Sequence, residues 1–128
     1  MKRVVLDSGV VLSFLEGKHR QYYEKILKGE VKPYVNAVNL AEVYYVLCRK
    51  VGTGKAEKIV RMIIKSGFEV VGVNPLVTKY ASECKCRNSI SMADCLSIAT
   101  AKYLKTTALF RREKELEGKG IDEVEFVD

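Results

Sequence analysis

The chain has 128 residues, of which 48% are hydrophobic and 30% charged, and its net charge is +6. This length predicts a single domain over residues 1–128, large enough to fold without disulfides or a structural metal. The composition is too hydrophobic for a disordered protein, and no apolar run approaches the roughly 18 residues of a membrane span. Since Asp7 interrupts any signal-peptide core, we expect a cytoplasmic protein with no membrane partner. The positive charge fits a polyanionic partner, although small proteins that bind no nucleic acid are often basic too.

Strand-like and helix-like segments alternate along the chain. In chain order they are a strand at residues 3–6, helices at 10–15 and 19–28, a strand at 32–35, helices at 40–51 and 55–65, a strand at 68–73, helices at 75–86 and 92–104, a strand at 107–110, a helix at 112–117 and a strand at 123–127. Strands joined by long helices imply parallel crossovers. The predicted fold class is α/β, a three-layer α/β/α sandwich with a central parallel sheet of about five strands. In such sheets the working site lies beyond the carboxyl ends of the strands.

The cysteines and the single histidine supply little for metal or acid–base chemistry. Cys48, Cys84, Cys86 and Cys95 follow neither a C-x-x-C nor a paired zinc spacing, and His19 is the only histidine. We therefore expect free buried thiols in a reducing compartment and no zinc site. A ribonuclease mechanism that uses a pair of histidines is excluded.

Two carboxylates in the first third of the chain follow or open predicted elements. Asp7 directly follows the first strand, where it would emerge at the carboxyl edge of the sheet, but it also suits the N-cap of the next helix. Glu42 falls in the first turn of the helix predicted at 40–51, off the centre of its apolar face. A favourable charge near a helix N-terminus explains Glu42 equally well.

Two further carboxylates lie in the last third. Asp94 follows Ser91 in a near capping box that opens an almost wholly apolar helix, and a carboxylate in that first turn is able to face a cleft. Glu113 follows the strand at 107–110 by three residues, but it lies within a charged run that is equally typical of a solvated surface.

Taken together, the four carboxylates indicate a chemistry that none indicates alone. Carboxylates that converge in one cleft repel each other unless a cation or protons neutralise them. Hard divalent ions such as Mg²⁺ take oxygen ligands of this kind. An acidic pocket for such an ion in a basic protein favours phosphodiester chemistry on nucleic acid.

Three segments carry a family resemblance that covers nearly the whole chain. Residues 4–12 read VVLDSGVVL, a strand followed by Asp and a small polar residue. Residues 39–45 read NLAEVYY, a helix with an acidic residue, and residues 91–101 read SMADCLSIATA, an Asp followed by an apolar helix of small residues. In this order and spacing they resemble PIN-domain ribonucleases of the VapC type, the toxins of VapBC toxin–antitoxin pairs.

A fourth segment departs from the pattern of that family. Residues 108–116 align in length, but Arg111 stands where the family usually has Thr or Ser, and Glu113 where it has Asp. Glu113 keeps the charge and reaches one methylene further. Arg111 brings a cation near the metal, which either weakens metal binding, pairs with the acidic cluster in place of a second ion, or contacts phosphate.

The resemblance implies an endoribonuclease that depends on Mg²⁺ or Mn²⁺. Asp7 and Asp94 would hold the ion, Glu42 would complete the cluster or orient the attacking water, and Glu113 would be the fourth acidic residue. Ser8 would bond a carboxylate or a water, although helix capping explains it equally well. The implied partners are an RNA substrate, a cognate antitoxin protein and a second copy in a homodimer. The candidate RNA-binding residues are Arg87, Arg111, Arg112 and Lys114.

Two other hypotheses stay open. The departure at Arg111 and Glu113 is compatible with a catalytically weak PIN fold that binds RNA or a partner protein. Phosphoryl transfer to Asp7 fits poorly. Haloacid-dehalogenase-like phosphatases need a second Asp two residues on, where this chain has Gly9, and receiver domains need an acidic pair before a strand-end Asp deeper in the chain.

Overall fold

The computed structural model describes all 128 residues as eleven helices and strands. In chain order these are β1 (Lys2–Leu6), α1 (Ser8–Leu15), α2 (Arg20–Leu27), β2 (Val31–Asn36), α3 (Ala37–Val51), α4 (Thr53–Lys65), β3 (Glu69–Val71), α5 (Pro75–Arg87), α6 (Met92–Leu104), β4 (Thr107–Phe110) and β5 (Val124–Phe126). No helix is both long enough and apolar enough to cross a bilayer.

The five strands form one parallel sheet in the order β3-β2-β1-β4-β5. The central strand, β1, pairs Val4 with Pro33 of β2 on one side and with Thr107 of β4 on the other. The next strands in the chain, β2 and β3, lie on one side of β1, and the later strands β4 and β5 lie on the other. The strand order thus reverses beside β1, and the ends of β1, β2 and β4 meet at one edge of the sheet.

Helices cover both faces of the sheet, because successive residues of each buried strand point to opposite faces. Val4 and Leu6 of β1 pack in a core of 15 buried residues with α1 to α4. Val5 packs in a second core of 13 buried residues, with α5 and α6. The predicted three-layer α/β/α sandwich with a parallel sheet of five strands is confirmed.

Helix α6 is the most deeply buried helix, and its composition explains why. The Ser91 hydroxyl caps it by accepting from the Asp94 N–H at 3.0 Å. All eight residues from Asp94 to Ala101 are buried, and several are small enough to let the helix approach the sheet closely. This packing carries Asp94 to the edge where β1 and β4 end.

Some predicted boundaries are wrong for identifiable reasons. Helix α3 begins at Ala37 rather than at residue 40, because the Asn36 side chain accepts from the Val38 N–H at 2.9 Å and caps it. The helix predicted at 112–117 is only a turn, in which the Glu113 carbonyl accepts from two N–H groups before Gly118 takes a positive φ of 72°.

Candidate active site

The parallel sheet brings the ends of three neighbouring strands to one edge, and the acidic side chains singled out in the sequence meet there. Asp7 follows β1 in the centre, Glu42 lies on α3 after β2, and Glu113 follows β4. Asp94 joins them from the first turn of α6. The structure therefore brings all four predicted acidic residues to one site.

Asp7 is buried, and its two carboxylate oxygens accept hydrogen bonds from different partners. Its Oδ2 accepts from the Gly9 N–H at 3.3 Å and so caps α1. Its Oδ1 accepts from the Ser97 hydroxyl at 2.9 Å and lies 3.4 Å from the Asn39 side-chain nitrogen. Only 5% of Asp7 is exposed. The N-cap interpretation is therefore confirmed, and it does not exclude a place for Asp7 in the site.

Asn39 and Ser97 form a buried polar network that the sequence analysis missed. The Ser97 hydroxyl also lies 3.0 Å from Asn39 Oδ1, and the Asn39 amide donates to the Ala93 carbonyl at 3.1 Å. The network thus joins α3 to α6 around the Asp7 carboxylate. A helical signal existed, since Asn39 precedes Glu42 by three residues, the spacing that places two side chains on one helix face.

Glu42 is a half-buried residue at the site. Its Oε1 accepts from the Ser8 hydroxyl at 2.9 Å and lies 3.5 Å from the Asn39 side-chain nitrogen. The prediction that Glu42 belongs to the first turn of its helix is wrong, because α3 begins five residues earlier, at Ala37. A helix N-terminus therefore does not account for this carboxylate.

Three carboxylates on the β4 side form a tight cluster. The oxygens of Asp94, Glu113 and Glu115 all lie within 4.8 Å of one another. Glu115 was not singled out in the sequence, where it is one member of a charged run. The turn that replaces the predicted helix at 112–117 directs Glu113 and Glu115 to the same place.

The buried carboxyl groups resist ionisation. Burial raises the pKa of Asp7 from 3.8 to about 7, with the charge of Asp94 as the next cause, while the Ser97 and Gly9 hydrogen bonds partly oppose the rise. Burial likewise raises the pKa of Asp94 to about 6, with the charge of Glu113 as the next cause. Burial and the neighbouring negative charges therefore both favour the protonated carboxyls when no cation is bound.

The donor set fits a hard divalent cation. Its members are carboxylate oxygens, which Mg²⁺ and Mn²⁺ prefer, and neither histidine nor cysteine belongs to the cluster. The expectation that the thiols are free and buried holds fully only for Cys95, because Cys48 and Cys84 are half-buried and Cys86 is exposed. Cys86 lies in the last turn of α5, and its side chain is exposed.

The four predicted RNA-binding residues are all exposed but differ in their contacts. Arg111 lies against α1 so closely that a Cβ added to Gly9 would be 3.0 Å from its Nε, and it forms no ion pair. Arg112 is engaged elsewhere, over the Phe126 ring at 4.5 Å and 3.7 Å from Glu117. Arg87 and Lys114 make no ion pair within the chain.

The comparisons with known proteins identify the family. The model of the PIN domain family matches residues 4–120, which is most of the chain. The chain belongs to the PIN domain family. This confirms the family resemblance found in the sequence, whereas the comparison with curated proteins found no sequence relative.

Solved structures share the fold of this PIN domain at low sequence identity. VapBC2 of Rickettsia felis, bound to a promoter DNA fragment, matches with a TM-score of 0.80 and 17% identity over 98% of this chain and 99% of that one. A toxin–antitoxin complex of Klebsiella pneumoniae matches at 0.78 and 16% over 98% of each chain. VapC20 of Mycobacterium tuberculosis, a sarcin–ricin loop-cleaving toxin, matches at 0.69 and 18% over 94% of this chain and 98% of that one.

Proposed function

We propose that this PIN domain is an endoribonuclease that depends on Mg²⁺ or Mn²⁺ and acts as the toxin of a toxin–antitoxin pair. The observation that carries the proposal is the convergence of Asp7, Glu42, Asp94 and Glu113 at one edge of the sheet. Two of these carboxyl groups have raised pKa values, as expected where a divalent cation is to supply the missing positive charge.

Asp7 and Asp94 are the proposed principal ligands, with Glu113 and Glu115 beside Asp94. The Ser97 and Asn39 contacts keep Asp7 Oδ1 in one orientation, which is how outer hydrogen-bond partners prepare a ligand. When bound, the cation lowers the pKa of water and offsets the charge that develops on the phosphate.

Glu42 is the proposed positioning group for the attacking water. Its Oε1 is occupied by the Ser8 hydroxyl at 2.9 Å, whereas its Oε2 accepts no hydrogen bond from the protein. The free oxygen is thus available to accept a proton from water at the edge of the cluster. Ser8 accordingly holds a carboxylate rather than serving as a helix cap, since Asp7 caps α1.

The RNA backbone would be held by exposed cations near the carboxyl edge. Arg111 lies beside the turn after Asp7 and forms no ion pair, so its guanidinium is free to contact a phosphate. Arg87 and Lys114 are exposed and equally free. Arg112 is the weakest of the four candidates, because Phe126 and Glu117 already hold it.

The test of this function is cleavage of a fluorescently labelled single-stranded RNA by the purified chain. We expect turnover in Mg²⁺ or Mn²⁺, its loss in EDTA, and heat of binding when either ion is titrated in a calorimeter. RNA binding without turnover by the natural chain, combined with turnover by the variant Arg111→Thr/Glu113→Asp, would instead establish the catalytically weak alternative. No ion binding and no turnover in either protein would contradict the proposal.

The antitoxin of this proposal would occupy an apolar groove on the α1–α4 side of the sheet. The groove has a volume of about 450 Å³, and nine of its ten lining residues are hydrophobic. Met62 on α4 lines it and is 69% exposed, an unusual exposure for a large apolar side chain. The groove suits the apolar face of an amphipathic helix, and solved relatives are toxin–antitoxin complexes.

Met62→Asp is expected to weaken the complex with the antitoxin at least about 10-fold, because it places a charge in the apolar contact. Ile64→Asp is the matched control, since Ile64 lies on the same helix, is 41% exposed and does not line the groove. The measurement is co-purification and affinity after co-expression with the antitoxin protein. Equal loss in both variants, or in neither, would contradict this placement. The homodimer implied by the family resemblance stays a prediction, which light scattering of the purified chain checks.

A further inference from the structure

Two cysteines from neighbouring helices lie in contact beside the site. Cys84 of α5 and Cys95 of α6 are separated by eleven positions in the sequence, and their Sγ atoms are 2.7 Å apart. A disulfide bond has a length of about 2.05 Å, so a small approach of the two sulfur atoms is enough to form one. We propose that Cys84 and Cys95 are a reversible disulfide site, oxidised by peroxides and reduced again by small thiols.

The turn between the two helices holds the sulfur atoms together independently of any bond between them. The Asn88 backbone N–H and side-chain amide both donate to the Cys84 carbonyl, at 3.0 and 2.9 Å. The Lys85 ammonium donates to the Ile90 carbonyl at 2.6 Å, and Ile90 itself is buried. These contacts fix the turn between α5 and α6 and so keep the two cysteines close to each other.

The two thiols differ in access, which assigns their order of reaction. Cys84 is half-buried and lines a cavity of about 280 Å³ that opens between α5, α6 and the segment before β5, with Arg87 and Lys102 also on its wall. Cys95 is completely buried. A small oxidant therefore reaches Cys84 first, and Cys95 is the resolving residue.

The reaction is balanced with hydrogen peroxide as oxidant. The Cys84 thiolate attacks one peroxide oxygen, the O–O bond breaks, and the departing hydroxide takes up a proton to become water. The Cys95 sulfur then attacks the resulting Cys84 sulfenic acid. The S–S bond forms, the S–O bond breaks, and a second water leaves with the proton of Cys95. Two thiols are oxidised by two electrons, and one peroxide is reduced to two waters.

The disulfide would tie α5 covalently to the first turn of α6, directly after Asp94. It closes a short loop and restricts the unfolded chain, so oxidation should raise the melting temperature by about 5–15 °C. In a reducing compartment such bonds are transient and responsive to oxidants. This inference does not depend on the proposed nuclease activity.

The test is treatment of the full-length chain with hydrogen peroxide, followed by alkylation with N-ethylmaleimide, trypsin digestion and mass spectrometry. Trypsin separates the cysteines, because cleavage after Lys79, Lys85, Arg87 and Lys102 places Cys84, Cys86 and Cys95 in three different peptides. We expect two of the four thiols to escape alkylation, peptides 80–85 and 88–102 to be joined with the loss of two hydrogen atoms, and dithiothreitol to separate them.

Matched variants make the result decisive. Cys84→Ser and Cys95→Ala should each abolish the linked peptides and the rise in melting temperature, whereas Cys86→Ser should keep both. A link through Cys86, a link between two chains, or four reactive thiols after oxidation would overturn the proposal. Because the readout needs neither RNA nor metal, a failed nuclease assay leaves it intact.

Discussion

Asp7→Asn is expected to lower RNA cleavage at least about 100-fold while making the metal-free protein more stable. The single amide oxygen can replace only one of the two carboxylate oxygens, so one of the hydrogen bonds from Gly9 and Ser97 is lost, which offsets part of the gain in stability. The substitution removes one negative charge from a group that burial and Asp94 already oppose, which should raise the free energy of unfolding by a few kcal/mol at pH 8. A purely structural carboxylate would give the opposite sign of stability change.

Cleavage rates in Mg²⁺ and thermal melting in EDTA measure the two effects. Asp94→Asn should behave in the same way, since burial and Glu113 raise the pKa of Asp94. Asp122→Asn is the matched control, because Asp122 is exposed, lies outside the site and should leave both quantities unchanged. Full cleavage by folded Asp7→Asn and Asp94→Asn would disprove the nuclease proposal.

The stability of the metal-free protein should fall as the pH rises from about 5 to 8. The pKa values of Asp7 and Asp94 are about 7 and 6 in the folded chain, against an ordinary value of 3.8. Between these values the folded state binds more protons than the unfolded state, so each rise in pH favours unfolding. The stabilisation is complete below the ordinary pKa and is lost as the pH passes through the raised values. Over this window the loss is on the order of a few kcal/mol.

Burial is the larger cause of both raised pKa values, and the charged groups around the two carboxyls act in the same direction. The negative groups are Glu42 from α3 and Glu113 and Glu115 from the segment after β4, and the one cation placed near them is Arg111, which lies against Gly9 at the start of α1. The negative groups outnumber the one cation. A divalent cation should reverse the trend, because its binding requires deprotonated carboxylates and therefore tightens as the pH rises.

Urea unfolding at several pH values, with and without saturating Mg²⁺, measures this linkage. The double variant Asp7→Asn/Asp94→Asn should show a much flatter dependence on pH and no stabilisation by Mg²⁺. If the natural chain and the double variant lost stability equally between pH 5 and 8, other groups would be responsible and the assignment would be wrong.

Much of the architecture was predictable because it depends on short-range patterns. The bounds of α6 and β4 agree with the prediction residue for residue, since Ser91, the apolar run after it and the β-strand formers at 107–110 are local signals. The alternation of strands and helices predicted the parallel sheet, and the rule for parallel sheets placed Asp7 at its working edge. Glu42 and Asp94 were candidates from their places in predicted helices, and the family resemblance strengthened both.

The contacts that orient the side chains of the site could not be predicted from short-range sequence patterns. The Ser97 hydroxyl meets Asp7 across 90 positions of sequence, and Glu115 joins Asp94 only because the segment after β4 is a turn instead of a helix. The sequence predicted free thiols at Cys84 and Cys95 and contained no signal for the contact between them. Local propensity depends on only a few neighbouring residues. These pairs of side chains meet because of how closely α6 packs on the sheet and on α5. That packing depends on side-chain volumes from the whole chain, and so the tertiary fold alone determined which oxygens and sulfurs meet.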